Sequence, residues 1–287
     1  SMSSSSSSSS SSLRNDLAQQ NLQLIHKTTQ KNTSNDMNAI LGQGSFGTVY
    51  LTKETDDYGG RLRAVKVIDA AQWGEKGASK KQILAEVKNW VKLADSPHIV
   101  KYCQGWGWPT KGNNFYISMQ YCSGGTLHAK LLTNPTAKVI TGWLLQLTRG
   151  VAWMHDRNIV HRDLYLQNIF IDEKKNLRIG DFGLARSTTP QTTSEVSTLV
   201  RRCGYRPFWS PEKVGNLLKH TTSKPDDMWS VGMIALELLN SVDIYAKITG
   251  NASIAAPQHR GELRRLKQDA KKKDSNLWKS IEGLFET

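Results

Sequence analysis

Cysteine is scarce in this chain. Only Cys103, Cys122 and Cys203 occur, odd in number and widely spaced. Such a set frames neither a disulfide scaffold nor a metal cage, and reads as reduced thiols in a cytoplasmic or nuclear protein. Long apolar runs are missing too. Nothing approaches the roughly 18 residues needed to cross a bilayer, and no apolar signal core opens the sequence, so neither a membrane partner nor secretion is expected. No internal repeat is visible, which argues against a solenoid. Acidic residues are in deficit: 25 Asp and Glu against 38 Lys and Arg give a formal charge of +13. That balance favours anionic partners through long-range attraction. Nucleic-acid patches, however, interleave cations with aromatics or ride on a recognition helix. KQDAKKKD (267–274) does neither clearly. It reads as a solvated helix face or loop, and nucleic acid is not an expected partner.

What is present suits a globular protein of one large domain or two lobes, with 38% hydrophobic and 22% charged residues over 287 positions. Residues 1–36 are expected to be a disordered serine-rich tail and linker, with 13–36 open between a frayed helix and a linker. Serine fills positions 3–12, and a weak apolar period (Leu17, Leu22, Leu24, Ile25) follows. From Met37 the texture changes. AILGQGSFGTVYL (39–51) and RLRAVKVID (61–69) alternate as antiparallel strands do, and HIVKYCQGW and NFYISMQYC predict two more. Between them KQILAEVKNWVKLA (81–94) places Ile83, Leu84, Val87, Trp90, Val91 and Ala94 on one helical face. The second half turns helical, notably over 137–156 and 227–240. Strands with one helix, then helices, predict an α+β chain of two lobes, 37–119 and 120–287.

Three segments carry chemistry. Gly42, Gly44 and Gly47 in GQGSFGTV form a glycine-rich turn between strands, where backbone amides can approach phosphates that side chains would block. A strand follows the glycines, which rejects a dinucleotide-binding fold. Lys66 in AVKVI is a cation inside a strand, costly unless paired, and Glu86 on the next helix can supply the partner. HRDLYLQN (161–168) matches H-R-D-L-x-x-x-N, and Asp-Phe-Gly follows at 181–183. With this ordered set the sequence resembles the eukaryotic protein kinase family over roughly residues 38–240. The resemblance extends to the NIMA-related kinases and the kinases of translation initiation factor two, both serine/threonine kinases.

The resemblance implies a two-lobed kinase fold that moves the γ-phosphate of ATP to serine or threonine of a protein substrate. It makes Asp163 the acceptor of the substrate hydroxyl proton, and Asn168 and Asp181 the Mg²⁺ ligands. Lys66, held by Glu86, would contact the phosphates. Met119 matches the gatekeeper residue, Gln120 to Cys122 the adenine-binding hinge, and Thr126 a ribose neighbour. Val49, Ala64 and Phe170 would sandwich the adenine. Trp90, Tyr102, His161 and Phe182 match a stacked column through the core. Asp227 would anchor the catalytic loop. An activating kinase could act on Thr188, Thr189, Thr192, Thr193, Ser194, Ser197 or Thr198 in the 181–212 loop, where phosphate would pair with Arg162.

The pattern is broken in three places. Tyr165 stands where the family's serine/threonine members carry a catalytic-loop lysine. Tyr205, in GYRPFWSPE (204–212), stands where they carry the threonine that bonds it. SNLWKSIEGLFET (275–287) resembles the helix before an arginine that pairs with Glu212, and without that partner a buried Glu212 is expected to be costly. The tyrosines leave two readings: a slow kinase, or a pseudokinase that binds nucleotide and signals through conformation.

Overall fold

The computed structural model describes residues 5–24, 39–44, 47–68, 80–107, 114–187, 204–215, 223–244 and 253–285. Its contacts divide the chain into two compact units, Ser1–Leu84 with Lys101–Tyr121, and Ala85–Val100 with Cys122–Thr287.

The first unit is a six-stranded antiparallel sheet. Helix α1 (Ser5–Ala18) leads into β1 (Leu22–Leu24), then β2 (Ile40–Gly44), β3 (Gly47–Glu54) and β4 (Leu62–Ile68). After α2 (Lys80–Val91), which straddles both units, come β5 (Tyr102–Trp106) and β6 (Phe115–Gln120). The order is β1-β3-β4-β6-β5, with β2 sharing the β3 edge taken by β1. Register decides which side chains meet. Val49 lies opposite Lys66 and Lys66 opposite Ile117, while Leu51 faces Ala64 and Ala64 faces Met119. Because alternate residues share a face, Val49, Ala64, Lys66 and Met119 line one side of the sheet.

The other side gives residues 13–24, open between a frayed helix and a linker, a packed place instead of a disordered one. Val65, Val67 and Tyr116 pack there against Leu13, Leu17 and Leu22, with Leu24, Tyr50 and Trp106 around them. β1 pairs with Thr52–Glu54 of β3, and the Tyr116 hydroxyl donates to the Asp16 carboxylate. Trp106 stacks on Tyr116 with ring centroids 5.1 Å apart. The serine run has no core-forming side chains, but the three leucines after it do, and each buried leucine contributes about 1.5–3 kcal/mol. Their 4–5 residue spacing fits one face of a helix running into a strand.

The second unit is mainly helical: α3 (Leu127–Leu131), α4 (Ala137–Asp156), α5 (Pro211–Gly215), α6 (Lys224–Asn240), α7 (Arg260–Lys273) and α8 (Ser275–Ile281). Small strands β7 (Ile159–Val160), β8 (Ile169–Ile171), β9 (Leu177–Ile179) and β10 (Arg186–Ser187) carry the loops between α4 and α5. The long helices form where the apolar period placed them. Lys271 to Lys273 are exposed at the end of α7, the solvated face expected of that charge run. α8 starts at Asp274, whose carboxylate accepts from the Asn276 and Leu277 amides.

α2 departs from its sequence reading in two ways. Leu84 and Val91 are exposed, at 43% and 49%, while Glu86 and Asn89 are buried beside the expected Trp90, with Leu93 buried just past the helix. The buried stripe tolerates polar groups because they are bonded: Asn89 Nδ2 donates to the Ala185 carbonyl. From Ala85 onward the helix belongs to the second unit rather than to the sheet. Trp90 Nε1 donates to the Val100 carbonyl at 2.6 Å, and Ile99 bridges to Ile179.

Candidate active site

The catalytic loop between β7 and β8 has little regular structure of its own, so its backbone needs outside partners. Asp227, near the start of α6, supplies them. It is 1% exposed, and its carboxylate accepts from the backbone amides of His161 and Arg162, each at 2.9 Å. His155 Nε2 lies 2.9 Å from the same carboxylate. These bonds hold Arg162 at φ 75°, a left-handed conformation that an isolated arginine avoids. Gly204 comes so close that a Cβ there would lie 2.3 Å from the Arg162 carbonyl oxygen. Only glycine fits. The anchoring role expected of Asp227 is realised.

Asp163 sits on this braced loop. Asn168 Nδ2 donates to its carboxylate at 3.0 Å and to its backbone carbonyl at 2.9 Å. The Tyr205 amide donates to the other carboxylate oxygen at 2.7 Å. The Asp163 amide in turn reaches His161 Nδ1 at 3.3 Å, while His161 Nε2 lies 3.0 Å from the Gly180 carbonyl. Burial pushes the Asp163 pKa up to about 6, and the nearby Asp181 carboxylate adds to it against the His161, Tyr205 and Asn168 contacts that lower it.

Asp181 follows β9 with φ 56°. Behind it Phe182 is fully buried between Trp90 and His161, with ring centroids 5.3 Å and 5.1 Å apart. Three members of the expected column therefore stack within the second unit; Tyr102 lies on β5 of the first.

The two unexpected tyrosines touch. Tyr165 and Tyr205 stack with centroids 4.3 Å apart and planes inclined by 14°, and Phe208 meets Tyr205 edge-on at 5.2 Å. Burial raises the Tyr165 pKa, and the Asp163 and Asp181 carboxylates raise it further, so the phenol stays neutral. Neutral aromatic packing thus occupies the slots in which the resemblance implies a lysine and a threonine.

The other expected residues fall as follows. In the first unit, Gly47 closes the β2–β3 turn at φ +131°, where a Cβ would lie 2.1 Å from the Val67 carbonyl oxygen. A Cβ on Gly42 would meet nothing within 4 Å, so the protein's own packing does not demand that glycine. Gly44 pairs with Gly47 in the hairpin. Lys66 is 6% exposed, and Glu86, in the second unit, is 4% exposed. The Gln120 amide donates to the Lys101 carbonyl as β6 ends, and the chain enters the second unit at the buried Cys122. Thr126 caps α3 through Ala129 and bridges to Phe170. Thr188, Thr189, Thr192, Thr193, Ser194, Ser197, Thr198 and Cys203 lie outside the described residues.

Glu212 is exposed, so the expected cost of a buried, unpaired carboxylate does not arise. The buried charge is its neighbour. Lys213 is 3% exposed, with Nζ 4.6 Å above the Trp209 ring, and its amide donates to Ser210 Oγ, which donates to Asp226. A cavity with room for about one water molecule is lined by Asp163, Tyr205, Lys213 and Asp226 among others. Sequence reasoning missed Lys213 because a lysine after a Pro-Glu pair looks like ordinary surface charge.

Comparison with known proteins agrees with this geometry. The protein kinase domain family matches residues 36–285. Serine/threonine-protein kinase Nek1 of Mus musculus is 28% identical over 265 residues, covering 86% of this chain and 20% of the relative. CBL-interacting serine/threonine-protein kinase 21 of Arabidopsis thaliana is 33% identical over 248 residues, 83% of this chain and 56% of the relative. Serine/threonine-protein kinase Nek5 of Homo sapiens is 32% identical over 211 residues, covering 71% and 27%. The chain therefore spans between a fifth and just over half of these relatives. With the family model matched over most of its length, the chain belongs to the eukaryotic protein kinase family, of the serine/threonine type.

Proposed function

We propose that the chain is an ATP- and Mg²⁺-dependent kinase that phosphorylates serine or threonine of a protein substrate, slowly for its family. The observation that carries this reading is the setting of Asp163. Its carboxylate is held by Asn168 and by the Tyr205 amide, with a pKa of about 6. A base of that pKa is deprotonated at neutral pH yet still able to take a proton. In the reaction the substrate hydroxyl oxygen forms a bond to the γ-phosphorus of ATP, the bond to the bridging oxygen breaks, ADP leaves, and the hydroxyl proton passes to Asp163.

The residues present fit a magnesium ion. Mg²⁺ is commonly held by one or two protein oxygens plus substrate phosphates, and Asn168 and Asp181 offer that donor set. Asn168 uses Nδ2 on Asp163, which keeps its oxygen for another role. Burial raises Asp163 most, and the smaller contribution from the Asp181 carboxylate is what a nearby cation would relieve. The ion, when bound, would neutralise charge on the phosphates. Lys66 on its strand and the glycine turn would hold those phosphates, Val49, Ala64 and Phe170 the adenine.

Slowness follows from the tyrosine pair. Loss of one preorganised charged group at a reaction centre typically costs about 10²- to 10³-fold in rate. Nucleotide binding rests on other residues and should survive. An upstream kinase acting on the 181–212 loop is a further part of this reading, by the same arginine–phosphate chemistry. The test is transfer of labelled phosphate from ATP to a generic protein acceptor with and without Mg²⁺. Label above an Asp163→Asn blank supports the reading. Nucleotide binding without any transfer would favour a pseudokinase.

A further inference from the structure

The family match begins at residue 36, yet the sheet that carries Lys66 is built on residues before it. Leu17 is 1% exposed, Leu22 4% and Leu13 7%, all packed on Val65, Val67 and Tyr116. Val65 and Val67 are the immediate neighbours of Lys66 and point to the opposite face of β4. Val67 also touches the glycine turn: its carbonyl oxygen lies where a side chain on Gly47 would have to stand. The segment is fastened at both ends. Asp16 accepts from the Tyr116 hydroxyl, and the Thr55 amide donates to the Asn21 carbonyl at 2.9 Å beside the β1–β3 pairing.

We propose that the strap Leu13–Leu24 is a working part of the nucleotide site, holding β4 from behind so that Lys66 and the glycine turn keep the positions phosphate binding requires. The inference rests on the reading of Lys66 as a phosphate ligand. Interiors are close-packed, so a strand supported on one face cannot keep its place when that support is withdrawn. Release of the strap uncovers Val65 and Val67 and loosens the strand between them. Linkage then requires the converse: bound nucleotide must tighten the strap by the same factor.

The experiment compares the full chain with its Leu17→Asp variant, which buries a carboxylate in the apolar cluster and so ejects the strap. Two quantities are read: Kd for ATP with Mg²⁺ by calorimetry, and hydrogen exchange of residues 13–24 and 62–68. The strap acts as described if Leu17→Asp raises Kd at least about fivefold, a factor within the usual range of coupling between sites. Exchange should quicken in both segments. A synthetic peptide of residues 12–25 added to the variant should restore both, the same peptide with Leu17→Asp neither, and ATP should slow exchange of 13–24 in the unaltered chain. An ejected strap with Kd within twofold of the original overturns the proposal, because the strap would then be a passive cover. If Leu17→Asp does not fold, Tyr116→Phe keeps the ring and removes the hydroxyl that donates to Asp16 and accepts from Asn114. Faster exchange at 13–24 with unchanged Kd is then the contrary result. Failure of the unaltered chain to bind ATP would remove the kinase reading and this one together, whereas binding indifferent to the strap removes this one alone.

Discussion

A phenol at position 165 takes a charge away from the catalytic loop while leaving a ring that can be packed. Tyr205 packs it, and the stack explains why the two departures are best understood together. Aromatic pairs of this kind contribute about 0.5–1.5 kcal/mol beyond burial. Tyr165→Lys alone would break the stack and bring an ammonium against a ring rather than a threonine hydroxyl, so little rate should be gained. Tyr205→Thr alone leaves the charge missing. The double variant should exceed the product of the singles, as contacting residues do; turnover of all four proteins on one peptide checks it, and strictly multiplicative rates would contradict it. Asp163→Asn should abolish transfer while thermal-shift titration still shows nucleotide binding, since Lys66 and Asp181 are untouched. Much of this site was legible in the sequence because HRD, DFG and the strand lysine are local patterns with fixed roles. The Tyr205 contact to Asp163 was not, because it is made by a backbone amide, and a sequence says nothing of where an amide points.

Two elements show where larger patterns mislead. On α2 the apolar period named Trp90, which is buried, but also Leu84 and Val91, which are not, and the buried stripe takes in Glu86 and Asn89 instead. Hydrogen bonding let polar residues go inside, and periodicity weighs only hydrophobicity. The segment after the serine run stayed open between a frayed helix and a linker for the complementary reason: three leucines are too few to fold alone, yet enough when a finished sheet offers Val65, Val67 and Tyr116. On α6 two carboxylates yield predictions. Asp227→Ala would leave two buried amides of the catalytic loop without their acceptor, at about 1–3 kcal/mol each, so both the melting temperature and turnover should fall. Glu237 is 3% exposed, accepts from the Ile244 amide, and has its pKa pushed up by burial to about 8. A carboxyl raised in the folded state binds more protons there than when unfolded, so stability falls as pH rises from the ordinary glutamate range to about 8 and then levels off. Glu237→Gln keeps an acceptor oxygen and removes the titration. Its melting temperature should exceed that of the unaltered chain at pH 8 by more than at pH 5; equal differences at both would show that Glu237 does not titrate there.

Over the whole molecule, a net charge of +13 favours approach of the anionic nucleotide at low ionic strength. No helix among the described residues is long and apolar enough to cross a membrane. The α+β division was readable from the order of strand and helix signals, while the grouping of Ala85–Val100 with the helical unit was not, because Trp90 and Ile99 tie the end of α2 and its following turn to that unit through contacts distant in sequence. As proposed above, an intact proton acceptor and a metal-binding pair would work here beside a neutral aromatic stack. The most direct test is the rate of Mg²⁺-dependent phosphate transfer in a single turnover, for the unaltered chain, the Tyr165→Lys, Tyr205→Thr double variant and the Asp163→Asn blank. The account predicts transfer above the blank in the unaltered chain, slower than the double variant by about 10²-fold or more. Transfer no greater than the blank, despite bound ATP, would contradict it, as would an unaltered chain as fast as the double variant.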